Sequence, residues 1–104
     1  MGNYRSRLDI IADILRVTGK GAKKTQIMYQ ANLSYKLLTK YLSEVLDSSL
    51  LRFERRKDCY VVTAKGDKFL GNYKEYSRRN KHLEKQLNDL HNNKKILEKL
   101  CSNG

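Results

Sequence analysis

Apolar residues in the first half of the chain recur at helical spacing. Tyr4, Leu8, Ile11 and Leu15 form one stripe, and Ile10, Ile14 and Val17 widen it. This predicts a helix over about residues 4–17, buried on a broad face. Gly19 and Gly21 follow and end it, because glycine tolerates the left-handed geometry common after a helix. From Thr25 to Asp47 the pattern predicts a short helix, a tight turn at Asn32-Leu33, and a further helix opening at Ser34. The Ser34 hydroxyl is a natural cap for a first-turn amide that has no intrahelical partner. Beyond it, Leu38, Tyr41, Leu42, Val45 and Leu46 recur at three- and four-residue steps and make one apolar face. Ser34, Tyr35, Lys36, Thr39, Lys40 and Ser43 fall largely on the other.

After Asp47 the period changes. Leu51-Arg52-Phe53-Glu54 alternates, and Cys59-Tyr60-Val61-Val62 is rich in strand formers. The connection Arg55-Arg56-Lys57-Asp58 makes the pair a hairpin with cations near its tip. Thr63 then caps a last helix that could run to about Cys101, uninterrupted by proline and weakened near its start by Gly66 and Gly71. Phe69, Tyr76, Leu83, Leu90 and Leu97 are spaced by seven, and Tyr73, Asn80, Leu87, Lys94 and Cys101 form a second series offset by four. Two such series predict a coiled-coil seam and a homodimer. A parallel pair would oppose Lys94 to Lys94, and like charges repel at close range. An antiparallel pair centred near Lys85 matches Phe69 with Cys101, Tyr73 with Leu97, Tyr76 with Lys94, Asn80 with Leu90, and Leu83 with Leu87.

Charge adds a partner to this architecture. The chain of 104 residues has a formal net charge of +11 and a pI near 9.8, which favours an anionic partner. Between Ile14 and Ser43 there are six Lys or Arg residues and no acid. Two helices joined by a tight turn, the second with a polar and basic outer face, describe a helix-turn-helix reader of double-stranded DNA. On that reading Ser34, Tyr35, Lys36, Thr39 and Lys40 face the major groove. Lys23, Lys24 and Thr25 anchor phosphates at the start of the preceding helix, and Arg55, Arg56 and Lys57 do so from the hairpin. Most of these side chains suit phosphates, and few could read base edges, which favours packaging or broad regulation over stringent site recognition.

No catalytic, cofactor or metal constellation accompanies these elements, and the chain reads as a non-enzyme without a small-molecule substrate. Gly19-Lys20-Gly21-Ala22-Lys23-Lys24-Thr25 has the flavour of a phosphate loop but carries Lys23 where glycine is needed. His82 and His91 fall on opposite sides of a helix, and Asn32-Leu33-Ser34 matches a glycosylation pattern inside the helix-turn-helix. Cys59 and Cys101 lack paired spacing, consistent with a reduced intracellular protein. No run approaches the length of a membrane span. The segment MGNYRSRLD turns acidic too quickly for a signal peptide, and its minimal myristoylation pattern carries no argument.

Helix, helix-turn-helix, two-stranded wing and long last helix make a mostly α winged helix-turn-helix, expected at residues 1–70, with a coiled-coil dimerisation helix at 71–104. The runs TQIMYQANLSYKLLTKYLSEVL, LLRFE, YVVTAKGDKFL and the heptad tail resemble the small archaeal winged-helix proteins of the Sulfolobus "ten-a" type. The resemblance spans nearly the whole chain. It implies a homodimer joined by an antiparallel coiled coil that binds duplex DNA with little sequence preference, as a chromatin-like, nucleoid-associated cytoplasmic protein. Many relatives with the same head are described only as predicted transcriptional regulators, so a sequence-specific regulator stays open. A winged-helix protein-interaction module stays open as a different class.

Overall fold

Ser6 decides where the first helix begins. Its hydroxyl accepts from the Asp9 amide at 3.2 Å, and the Asp9 carboxylate accepts from the Ser6 amide at 2.9 Å. This reciprocal capping box satisfies two amides that would otherwise be orphaned. The computed structural model describes residues 5–102, so Tyr4 of the expected first stripe lies outside the described residues. The elements run α1 (Arg7–Val17), α2 (Lys24–Gln30), α3 (Tyr35–Asp47), β1 (Leu51–Glu54), β2 (Cys59–Val62) and α4 (Ala64–Leu100). The first helix thus starts three residues later than its periodicity suggests, because the cap overrides the stripe. Thr63 caps α4 as expected, accepting from the Gly66 amide at 3.0 Å, while Cys101 falls just past the helix end.

The core of the first unit joins α1, α2, α3 and the wing. Ile14, Leu15, Ile27, Leu38, Val45 and Leu51 are fully buried side chains at its centre. The strands pair antiparallel, with Leu51 opposite Val62 and Glu54 opposite Cys59. Ala22, in the loop before α2, exchanges both backbone bonds with Tyr60 at 2.9 and 2.8 Å. The helical pattern gives no sign of this pairing, which ties the α1–α2 connection to β2. It also changes what two glycines do. Gly21 holds φ +91°, and a Cβ there would stand 3.0 Å from the Cys59 sulfur, so it serves the strapped loop rather than the end of α1. Gly66 does more than weaken the start of α4: a Cβ there would lie 2.3 Å from the Leu50 carbonyl oxygen. Its absence lets α4 begin against the end of the α3–β1 loop.

The chain packs as two units, the first ending at Tyr73 and the second beginning at Lys74. The expected boundary lay three residues earlier. Phe69 and Tyr73 fall on the first unit's side of that division. Phe69 packs against the core of the first unit, and its ring stacks on Tyr73 with centroids 6.1 Å apart. The Tyr73 hydroxyl donates to Asp9, and the Arg16 guanidinium stands 5.5 Å from its ring centroid. Both aromatics therefore have partners within their own chain.

Candidate nucleic-acid interface

Three local devices shape the turn between α2 and α3. Asn32 takes φ 53°, a left-handed conformation that Asn accepts more readily than most residues. Ser34 accepts from the Leu37 amide at 3.2 Å and starts α3. Arg5 grips the turn from outside it, donating to the carbonyls of Ala31 and Asn32, each at 2.7 Å, and to Asp13 at 3.0 Å. The planar fork of arginine suits this, because it can hold carbonyls and a carboxylate at once. Arg5 was not legible as part of the site, since nothing local marks a contact to residues 31 and 32. It is a positioning residue for the helix-turn-helix.

The outer face of α3 is built as its sequence predicts. Leu38, Tyr41, Leu42 and Val45 are buried, and Ser34, Tyr35, Lys36, Thr39, Lys40 and Ser43 are exposed. Lys23 and Thr25 are exposed at the start of α2, whereas Lys24 is half-buried. The Lys24 ammonium stands 5.0 Å from the Tyr35 ring centroid, which brings the starts of α2 and α3 together. The Lys40 ammonium lies 5.3 Å from the ring of Tyr41. Thr39 spends its proton on the Tyr35 carbonyl at 2.9 Å, leaving its oxygen to accept rather than donate outward. Arg55, Arg56 and Lys57 are exposed across the hairpin turn, beside Asp58 with φ 50°. Glu54 is occupied by Arg52 at 2.9 Å.

Glu44, Asp13 and Asp9 near this surface are engaged, whereas Asp58 is exposed at the tip of the wing. Glu44, on the later part of α3, pairs with Arg7, and that contact raises the Arg7 pKa. Asp13 holds both Arg5 and Arg16 at 3.0 Å. Asp9 is held below its ordinary value, first by the Tyr73 hydroxyl and then by the Ser6 amide. The face therefore presents cations, hydroxyls and rings. Tyr29 on α2, 75 % exposed, was missed, although two residues after the buried Ile27 it had to turn outward. Tyr35 is 65 % exposed. Phe53, part-exposed on the wing, packs against Tyr60 at 5.0 Å between centroids.

In the second unit Tyr76, Asn80, Leu83, Leu87, Leu90, Lys94 and Leu97 are all exposed along α4, and Cys101 is exposed just beyond it. A shallow groove on this face is lined by Leu87, Leu90, His91, Asn93, Lys94 and Leu97. Ile96 and Leu100 are exposed too and lie off the seam, a feature the seven-residue series do not cover. Among the described residues, no helix is long and apolar enough to cross a membrane. No cluster of His, Cys, Asp and Glu among them could hold a metal ion.

Comparison with known proteins agrees with this architecture. The winged helix-turn-helix family profile matches residues 4–82. The chain belongs to the winged helix-turn-helix family. Two relatives from Methanocaldococcus jannaschii are the uncharacterized proteins MJ0290 and MJ0287. The first is 37 % identical over 75 residues, covering 71 % of this chain and 35 % of that protein. The second is 31 % identical over 65 residues, covering 62 % of this chain and 65 % of that protein. The chain thus spans about a third of the first relative's length and just under two thirds of the second's. Among solved structures, Sso10a-2, described as a DNA-binding protein from Sulfolobus solfataricus, aligns with a TM-score of 0.68 at 22 % identity. The alignment covers 96 % of this chain and all of that one. The resemblance to the Sulfolobus "ten-a" type holds at the level of fold.

Proposed function

We propose that this winged helix-turn-helix chain is a dimeric double-stranded DNA-binding protein with little sequence preference, acting in chromatin architecture or broad regulation. The observation that carries the reading is the outer face of α3, where Tyr35, Lys36, Thr39 and Lys40 are exposed with no acid among them. An α-helix of this kind fits the major groove. Lys23, Lys24 and Thr25 approach phosphates beside it, and Arg55, Arg56 and Lys57 do so from the wing. The description of Sso10a-2 as DNA-binding supports the same partner. The location that fits is the cytoplasmic nucleoid, and the chain's work is binding rather than catalysis.

Dimerisation is proposed through α4, with an antiparallel pair centred near Lys85. Leu83 then faces Leu87 and Asn80 faces Leu90 in the middle layers, while Tyr76 meets Lys94. The outer layers pair Tyr73 with Leu97 and Phe69 with Cys101, and the two rings also pack within their own chain. Exposed Leu83, Leu87, Leu90 and Leu97 support the pairing, because a row of bare leucines on one helix gains most by facing another such row. A mobility-shift assay with random-sequence duplex DNA tests the proposal: a shift that fades as salt rises supports it, and no shift at low salt contradicts it.

The exposed rings of Tyr29 and Tyr35 favour one second reading, a protein-interaction module using the same helices. Tyrosine anchors protein interfaces well, since it supplies contact area together with a polar end. Binding that ignores DNA and salt but fails on Tyr29→Ala would select that reading.

A further inference from the structure

Opposite the apolar seam, α4 carries another periodic series. Lys74, Lys81, Asn88 and Lys95 are spaced by seven, and Arg78, Lys85, Asn92 and Lys99 form a companion series offset by four. With about 3.6 residues per turn, both fall on the side of the helix away from Leu83, Leu87, Leu90 and Leu97. Six of these eight positions are cations, two are amides and none is an acid. The same segment does contain acids, but Glu75, Glu84, Asp89 and Glu98 all lie off the stripe. All eight stripe residues are exposed.

A face kept polar only for solubility mixes the two signs, because Glu and Lys three or four residues apart support the helix. Lys74 and Arg78, Arg78 and Lys81, Lys81 and Lys85, and Lys95 and Lys99 are like-charged neighbours along the stripe, and the acids three or four residues from its cations, Glu75, Glu84, Asp89 and Glu98, stand beside it. Among the described residues, the ion pairs of this unit are those of Glu75 with Arg78 at 2.8 Å and with Arg79 at 2.7 Å. Lys74, Lys81, Lys85, Lys95 and Lys99 form none within that set. The segregation leaves one side of the helix with cations and amides and no acid, which suits an extended anion.

We propose that this stripe is a second duplex-DNA surface, distinct from the α3 and wing face and set on the outer side of the dimerisation helix. From Lys74 to Lys99 it rises about 37 Å, close to one turn of duplex, and its steps alternate between about 6 and 4.5 Å. Flexible lysine stems can adjust that spacing to successive phosphates. Six cations and two amides suit phosphate and sugar oxygens and give no base readout. A membrane surface fits less well, because a helix lying on lipid needs a sustained apolar flank beside its basic residues. Glu75, Glu84, Asp89 and Glu98 occupy the flanks here. The choice of DNA as the polyanion rests on the proposed function of the winged unit, but the stripe itself does not.

The test is a charge-neutral rearrangement. Lys81→Gln and Lys85→Gln remove two cations, while Glu84→Gln and Asp89→Asn remove two acids, so the formal net charge stays at +11. On a long random-sequence duplex, the slope of log K against log salt should become shallower by roughly 1.8 per chain, at about 0.9 for each phosphate lost. Lys95→Gln with Lys99→Gln should reproduce the drop from the other end of the stripe. Circular dichroism and sedimentation check that helix and assembly are kept. A separate wing variant, Arg55→Ala with Arg56→Ala and Lys57→Ala, reports on the winged unit. If that variant binds like the parent while the stripe variants weaken, the winged-unit reading fails and the stripe stands. Unchanged slope and affinity in both stripe variants would overturn the stripe. Unchanged DNA binding with lost binding to phosphatidylserine vesicles would overturn its assignment to DNA.

Discussion

Leucine meets opposite fates in the two units. In the first, Leu15 and Leu38 are 0 % exposed, enclosed by isoleucines, by Val45 and by the wing. In the second, Leu90 is 65 % and Leu97 63 % exposed, on a helix that buries no leucine of its own. The residue type and the helical spacing are similar, so the difference lies in whether neighbouring elements of the chain supply a facing surface. The first unit closes its core with its own elements. The second has one helix, and a single helix cannot cover its own apolar stripe. Periodicity alone therefore indicates that a face will be buried without saying whose chain buries it.

The largest expected effect breaks the second unit and leaves the first intact. Leu83→Glu with Leu87→Glu should turn a dimer into a monomer, since each buried leucine contributes about 1.5–3 kcal/mol and both chains lose two. Analytical ultracentrifugation checks the mass, and the winged unit should still melt cooperatively. Orientation can be sharpened with Asn80→Cys and Leu90→Cys on a Cys101→Ser background. Mild oxidation should link position 80 to position 90 of the partner if the chains run antiparallel, and 80 to 80 or 90 to 90 if they run parallel, which peptide mapping distinguishes. Ready crosslinking of the native chain through Cys101 to Cys101 would instead require a parallel pair.

The next effect breaks the first unit at one atom. Gly66→Ala places a methyl 2.3 Å from the Leu50 carbonyl oxygen, a backbone group that cannot swing aside. It should cost about 1–3 kcal/mol in denaturant unfolding. Gly71→Ala meets open space and should stabilise by about 0.4–1 kcal/mol. The pair contrasts a helix start packed against the core with a helix position that touches nothing.

A smaller effect follows the polar contacts of Tyr73. Because the Asp9 pKa is lowered in the folded chain, its contribution is present above the unfolded value and is lost as pH falls through the folded one. The window therefore lies below the ordinary value of 3.8. Tyr73→Phe removes the largest cause of the lowering and should flatten the acid limb of stability by less than about 1 kcal/mol. Thermal melts of both chains from neutral to strongly acid pH measure it, and parallel curves would contradict the role given to Tyr73.

Legibility in the sequence followed the range of the interaction. Caps were readable because Ser34 and Thr63 act on amides within three residues. The wing strands, the buried face of α3 and the exposed cations were readable because period and polarity are local properties. α1 starts at Arg7 because the Ser6–Asp9 box overrides the apolar stripe that runs back to Tyr4 in the sequence. Contacts between distant residues were not readable. Arg5 reaches residues 31 and 32, Ala22 pairs with Tyr60, and Tyr73 reaches back to Asp9. Phe69 and Tyr73 keep the seven-residue register and also pack their rings within the first unit, a contact their spacing does not announce. Tyr29 had a local signal, two residues after the buried Ile27 on α2.

The central claim is that the exposed cations of the winged unit meet phosphates. Its most direct measurement is the affinity for a short random-sequence duplex over a salt series. If several phosphates are neutralised, log K should fall linearly against log salt, with a slope of roughly −4 to −6 per winged unit at about −0.9 per phosphate. Replacing Arg55 and Arg56 by Ala should make that slope shallower by an equal amount on every sequence tried. An affinity that hardly changes between low and moderate salt would contradict the account.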